Sequence, residues 1–184
     1  MAVPTSTDVI ARQVAHLMRA GEEPRWMQPA RCIESEVDLE DDRFENDEEP
    51  ETENLDAQSR IALTKLDPQD KEFERIVQEQ LDGGSYLGCT GCMAAGLRKA
   101  LDVPTSEILV TNQRLLVVDV NGVDKIEPEW SAERGDIVRI WKRSRFLEPG
   151  RVVIAFKDHS VLALHVGLIG GKSAFRLVEA LDTV

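Results

Sequence analysis

Residues 107–122 read EILVTNQRLLVVDVNG. Two apolar runs, Ile108 to Val110 and Leu115 to Val118, are separated by Thr111-Asn112-Gln113-Arg114. A tight turn explains the break. Asn tolerates positive φ and its side chain can bond nearby backbone, so Asn112-Gln113 reads as a hairpin. Asn121-Gly122 is a second hairpin signal of the strongest short-range kind. The stretch therefore predicts consecutive antiparallel strands over 107–111, 114–120 and 125–130.

Working outward, the same grammar continues towards the C-terminus. Residues 136–142 read as a strand, Glu148-Pro149-Gly150 as a turn, and 151–156 as the next strand. Residues 157–160 turn the chain into a strand over 161–166. Gly170-Gly171 breaks the sheet, and a final helix starts near Ser173, with Phe175, Val178 and Leu181 placed on one face at helical spacing. A meander closed by one amphipathic helix is an α+β or barrel-like unit, because the helix buries an apolar face that a short curved sheet leaves open.

Upstream the signals are helical. Thr7 or Asp8 can cap a first helix whose Ile10, Val14, Leu17 and Met18 share a face, and Gly21 offers a stop. Trp26 and Met27 read as packing anchors. Ile61, Leu63 and Leu66 form a short apolar patch. Asp67 as N-cap and Pro68 at the first helical position open a helix carrying Phe73, Ile76, Val77 and Leu81 as its stripe. Gly83-Gly84 ends it. The division predicted is an amphipathic helix and anchor over 1–33, an acidic linker over 34–56, a helical segment over 57–83, and the sheet domain over 84–184.

Charge supports that division. The chain has 184 residues and a formal net charge of -12, with 42% hydrophobic and 30% charged residues. Residues 1–81 hold 21 acids against 9 bases, and 82–184 hold 13 of each. Residues 34–56 alone hold 13 acids and one base, Arg43, a density at which like charges resist compaction and predict disorder. A binder of DNA or RNA is disfavoured, since the phosphate contribution that dominates such binding has the wrong sign. No stretch reaches the roughly 18 to 20 apolar residues of a membrane span. The N-terminus lacks the apolar core of a secretory signal, and three cysteines form no even framework. These point to a reducing cytoplasm.

The hairpin EILVTNQRLLVVD resembles the recurrent Leu-Thr-Asn-x-Arg-Leu hairpin of the bacterial pleckstrin-homology-like (PH-like) domains. DIVRIWKRSRF, RVVIAFKDHSVLALHV and the closing helix extend the resemblance over about residues 84–184. GCTGCMAAGLRKALDVPTS departs from it as a helix-bearing insertion. The resemblance implies a PH-like fold, a curved antiparallel sheet or partly open barrel capped by a C-terminal helix. It also implies a binding or assembly module, not an enzyme, and one with no cofactor. It does not bring a phosphoinositide site, because the corresponding region offers only Arg98 and Lys99 beside Asp102 and Glu107.

Two constellations carry chemistry. Cys89-Thr90-Gly91-Cys92 precedes a helical stretch over 93–101 and suits a redox pair, although a thioredoxin unit needs βαβ architecture. It also supplies two zinc ligands, with Cys32 as a third, but lacks the second spaced pair of most tetrahedral sites. Two plain thiols packing as small apolar residues are the reading that the missing second pair favours. The segment RIWKRSRFLEPGR, 139–151, concentrates Arg139, Lys142, Arg143, Arg145 and Arg151 against Glu148. It could hold an anionic partner, an anionic membrane surface or the chain's own acidic segment, or protect a sheet edge. Trp130, Trp141 and His165 read as strand residues on buried or half-buried faces. No Walker-type loop, dinucleotide glycine signature, Gly-x-Ser-x-Gly elbow or His-Glu-x-x-His occurs. The sequence thus predicts a cytoplasmic, non-enzymatic module with a protein partner or self-association.

Overall fold

The structure, a computed structural model, describes residues 6–33, 67–68, 70–81, 85–120, 126–143, 149–167 and 171–182. The acidic segment 34–56, the patch of Ile61, Leu63 and Leu66, Asn121-Gly122, Gly170 and Arg145 lie outside them, as do the side chains of Thr7 and Asp8.

Among the described residues the chain is α+β: an open antiparallel sheet of eight strands with four α-helices. In chain order these are α1 (Ser6–Val14), a 3-10 turn (Ala15–Leu17), β1 (Pro24–Cys32), α2 (Lys71–Leu81), β2 (Tyr86–Leu87) and α3 (Met93–Leu101). Then follow β3 (Ser106–Thr111), β4 (Arg114–Val120), β5 (Ile126–Glu133), a 3-10 turn (Arg134–Asp136), β6 (Ile137–Lys142), β7 (Arg151–Phe156), β8 (Val161–Val166) and α4 (Lys172–Asp182). The sheet order is β5-β4-β3-β1-β8-β7-β6, with β2 paired to β8.

The centre of this sheet lies outside the expected unit of 84–184. Strand β1 pairs with β3 up to Pro29 and with β8 from Ala30 onward, so it joins the two halves. Trp26 and Met27 are buried as expected, as strand residues on opposite faces of the sheet. The division at Gly84 is corrected accordingly. Pro29, which can donate nothing to a ladder, sits where the strand changes partner, and its carbonyl accepts from Gly167 N–H at 2.8 Å.

The unbroken apolar runs follow from helices on both faces. On one face, Ile108, Val110, Leu115, Val117, Ile154, Leu162 and Leu164 pack against Ala94 and Leu97 of α3 and Leu177 and Leu181 of α4. On the other, Val14 of α1 meets Met27, Leu109, Leu116 and Val118. Further along that face, Phe73, Val77 and Leu81 of α2 meet Trp141, Val153, Ala155 and Ala163. Side chains alternate faces along a strand, so both sets must be apolar where both faces are covered. Each fully buried Leu, Ile or Val contributes about 1.5 to 3 kcal/mol.

Two helix details differ from expectation. Helix α2 begins at Lys71, with Asp70 Oδ1 accepting from Glu72 N–H at 3.1 Å, so Asp70 and not Asp67 is the cap. On α4 the buried residues are Ala174, Leu177 and Leu181, while Phe175 is 63% exposed. Small Ala174 lets the helix lie close to the sheet, and this phase turns Phe175 outward.

The polar break in the opening stretch has a role that turn chemistry alone does not supply. All four of its residues hold the segment 17–23, which delivers β1 to the sheet. Thr111 donates its hydroxyl to Glu22 Oε1 at 2.7 Å. Asn112 Oδ1 accepts from Glu23 N–H at 2.9 Å, and its Nδ2 donates to Gly21 O at 3.0 Å. Gln113 Nε2 donates to Ala20 O at 3.4 Å. Arg114 grips Glu22 with Nε at 2.8 Å and Nη2 at 3.0 Å, and also donates to Leu17 O at 2.8 Å. Gly21 bends the segment at φ 74°, a conformation that costs glycine little. Burial pushes the Glu22 carboxyl up, but the Arg114 hydrogen bonds, the Arg19 N–H, the Thr111 hydroxyl and the Arg114 charge together hold it down at about 2.

Candidate functional site

The five basic residues expected over 139–151 do not form one patch. Strand β6 alternates, sending Arg139 and Trp141 towards α2, and Ile140 and Lys142 towards α4. The Arg139 guanidinium is taken up by the Glu74 carboxylate and the carbonyls of Pro68 and Asp70, fastening α2 to the sheet. The Lys142 ammonium lies 3.8 Å from the centre of the Phe175 ring, a cation–π contact. Arg151 is wholly buried inside β7. Arg143 alone is exposed, and Arg145 lies outside the described residues. An anion patch is thereby corrected for Arg139 and Arg151, whose charges are spent inside the fold. A membrane-surface reading loses the same two cations.

Strand β6 is nevertheless the distinctive surface. Among the described residues the main strand order ends at β5 and β6, with short β2 off this path beside β8. On β5, Glu127, Pro128 and Glu129 are exposed, and so is Glu133. Charges and a proline at an edge obstruct the addition of another strand. Strand β6, IVRIWK, holds no proline and no acid. Arg143 N–H donates to Arg151 O at 3.0 Å. By alternation along an antiparallel ladder, the N–H and C=O groups of Ile140 and Lys142 therefore point away from β7.

A groove of about 470 Å³ runs beside this edge, lined by Arg134, Gly135, Ile137, Val138, Ile140 and Leu181. Its far wall is the C-terminal end of α4. Arg134 fixes that wall by donating to Ala180 O at 2.8 Å and to Leu181 O. A second depression, about 320 Å³, opens on the α2 side between Lys71, Gln78, Trp141 and Arg143. Trp141 meets Phe73 edge-on at 6.3 Å, so its position is set by α2. Edge, groove and depression together suit an extended chain whose side chains point alternately to the two faces.

The cysteines are placed differently from a metal site. Cys32 donates its thiol to Arg98 O at 3.6 Å, part-way along α3, while Cys92 is the N-cap residue of that helix. Among the described residues no group of three His, Cys, Asp or Glu side chains is placed to hold a metal. The zinc set of Cys32, Cys89 and Cys92 is thus not brought together. The first N–H groups of α3 are served by residues the sequence did not single out. Asp158 Oδ2 accepts from Met93 N–H at 2.6 Å, and Ser160 Oγ accepts from Ala94 N–H at 3.1 Å. Tyr86, also unforeseen, sets its hydroxyl 3.0 Å from Cys89 O and 3.3 Å from Cys92 Sγ. These partners stand more than 60 residues away in the first two cases, so no local signal could have found them.

None of the described helices is long and apolar enough to cross a membrane. The chain matches no family model, no curated protein and no solved structure.

Proposed function

We propose that the protein is a non-enzymatic binding and assembly module, PH-like in fold, that takes up an extended segment of a protein partner along the edge of β6. The observation that carries this is the contrast between the two sheet edges. Among the described residues one edge carries Glu127, Pro128 and Glu129, and the other carries no proline or acid, has its Arg139 and Lys142 engaged with α2 and α4, and is flanked by a groove. In such binding the main chain supplies affinity, and pockets for alternate side chains supply specificity. Ile140 and Lys142 offer the main-chain groups, the groove by Leu181 takes side chains on one face, and the depression by Arg143 takes those on the other. We place it in the cytoplasm, on the odd count of three cysteines with no even disulfide framework.

The test uses proline. Lys142→Pro deletes one outward N–H without removing a β6–β7 ladder bond, since proline is tolerated at such edge positions. Lys142→Ala keeps that N–H and serves as the control. Both full-length variants are screened, with the wild type, against an immobilised random decapeptide library. The wild type and Lys142→Ala are expected to enrich the same peptides and Lys142→Pro to lose them at least tenfold. Equal enrichment by Lys142→Pro, or no enrichment by the wild type, overturns the reading.

A further inference from the structure

Cys89 and Cys92 stand at the two ends of a hydrogen-bonded turn, with Cys92 N–H donating to Cys89 O at 3.1 Å. Gly91, at φ 81°, supplies the positive φ that the third position of a type II turn requires. Such a turn holds its end Cα atoms within about 7 Å, which overlaps the roughly 4.4 to 6.8 Å range of disulfides. Both residues are half-buried and neither is in a disulfide. We infer that Cys89 and Cys92 form an oxidisable dithiol site, closing reversibly to an intramolecular disulfide that the fold accommodates without moving α3. This site is independent of the β6 edge.

The surroundings assign different parts to the two thiols. Cys92 packs against the main core, and the space around its sulfur is closed by Gly88, where an added Cβ would lie 2.6 Å from Sγ and 2.9 Å from the Tyr86 hydroxyl. Tyr86 gives its single hydroxyl hydrogen to Cys89 O, which leaves its oxygen to accept from the Cys92 thiol. Burial, then the Cys92 contact, push the Tyr86 pKa well above the ordinary tyrosine value, so the hydroxyl stays protonated while thiols titrate. Cys92 is therefore the sulfur packed against the core. Cys89, beside exposed Thr90 and Gly91, is the sulfur that meets an oxidant.

With glutathione disulfide as oxidant the steps balance. The Cys89 thiolate attacks one sulfur, the glutathione S–S bond breaks, and one glutathione leaves as thiolate and takes up a proton. The Cys92 thiolate then attacks the Cys89 sulfur of the mixed disulfide, and the second glutathione leaves in the same way. The protein loses two hydrogens and glutathione disulfide gains them. Closure removes the Cys92 hydrogen from Tyr86, which is the chain's one tyrosine and hence an unambiguous reporter.

The full-length protein would be equilibrated in a series of reduced and oxidised glutathione ratios, quenched, alkylated and weighed intact, with the tyrosine ring signals followed by NMR. The expected product is two hydrogens lighter, carries one alkyl group, on Cys32, shows a shifted Tyr86 ring, and reverts in reduced glutathione. Cys92→Ser is expected to stop at one glutathione on Cys89, and Cys89→Ser to form neither product. Three alkylated cysteines at every ratio overturn the inference, as does a lasting glutathione adduct on the wild type or a disulfide that includes Cys32. The wild-type titration decides the matter even if a serine variant does not fold.

Discussion

Replacing Glu22 by Gln tests the claim that the Thr-Asn-Gln-Arg hairpin works as a clamp. The Glu22 side chain is fully buried, and Arg114 is 10% exposed. Its carboxylate accepts from Thr111, from Arg19 N–H and twice from Arg114. Glutamine keeps the shape but leaves the guanidinium buried without a counter-charge, a loss of about 3 to 5 kcal/mol. The titration of Glu22 gives a second route to the figure. Its carboxyl sits at about 2 in the folded chain against 4.5 for an unperturbed glutamate. Each pKa unit is worth about 1.4 kcal/mol, so the difference corresponds to about 3 kcal/mol. A folded pKa below the unfolded one stabilises fully above pH 4.5 and is lost as the pH falls towards 2. Urea unfolding at pH 7 should show Glu22→Gln with its midpoint lowered by roughly 1.5 to 2.5 M, for an m-value near 2 kcal/mol/M. Near pH 2 the two proteins should converge to within about 1 kcal/mol, because the wild-type carboxylate is then about half protonated when folded and little of its linkage stabilisation remains. A difference below 1 kcal/mol at pH 7, or one that does not shrink on acidification, would refute the clamp. The double variant Glu22→Leu, Arg114→Met should recover most of the loss, since an apolar pair of similar volume avoids the stranded charge.

Two further substitutions test the packing. Leu177→Ala on α4 should cost about 2 to 5 kcal/mol in urea unfolding and Phe175→Ala less than about 1, the reverse of the ranking that side-chain size suggests; equal losses would contradict the phase of α4. Gly96→Ala puts a methyl group 2.7 Å from Trp130 Nε1, so the variant should lose about 1 to 3 kcal/mol and shift the tryptophan fluorescence, and an unchanged spectrum would show that α3 does not bear on Trp130.

Much of the sheet is legible in the chain because local signals and burial agree there. Strands β7 and β8 begin and end where the apolar runs do, and β3 and β4 differ from expectation by at most one residue. Strand β1 is not legible, and the reason is physical. Its burial pattern shows only Trp26, Met27 and Ala30 covered, while Arg25, Gln28 and Arg31 face solvent and Pro24 and Pro29 interrupt any ladder. Local propensity therefore argues against a strand, and its neighbours β3 and β8, more than 75 residues downstream, decide otherwise. The basic residues were legible as composition only. Whether Arg139 is available depends on Glu74, 65 residues earlier, and whether Arg151 is available depends on burial. The phase of α4 failed for a related reason. Residues 174, 177 and 181 fit helical spacing as well as 175, 178 and 181 do, and only the approach to the sheet selects between them.

The hidden strand also explains why β5 and β6 end the sheet among the described residues. Strands β5 and β6 follow one another in the chain, joined only by the turn Arg134–Asp136, and consecutive strands commonly pair. Here they form the two ends of the sheet. With β1 inserted between β3 and β8, each half grows outward by hairpins, so β5 and β6 are the last strands on opposite sides. Closing the sheet would require them to meet where α3 and α4 already fill the space. Trp130 of β5 rests edge-on against Phe156 of β7 at 6.0 Å, while Arg134 is tied to the end of α4. The gap is thus held apart by packed side chains and a helix end. On the proposed reading, a strand arriving from outside meets β6 already placed, with no described strand on its outer side. The clamp at Glu22 and Arg114 bears on the same outcome, because β1 enters the sheet through the segment it secures.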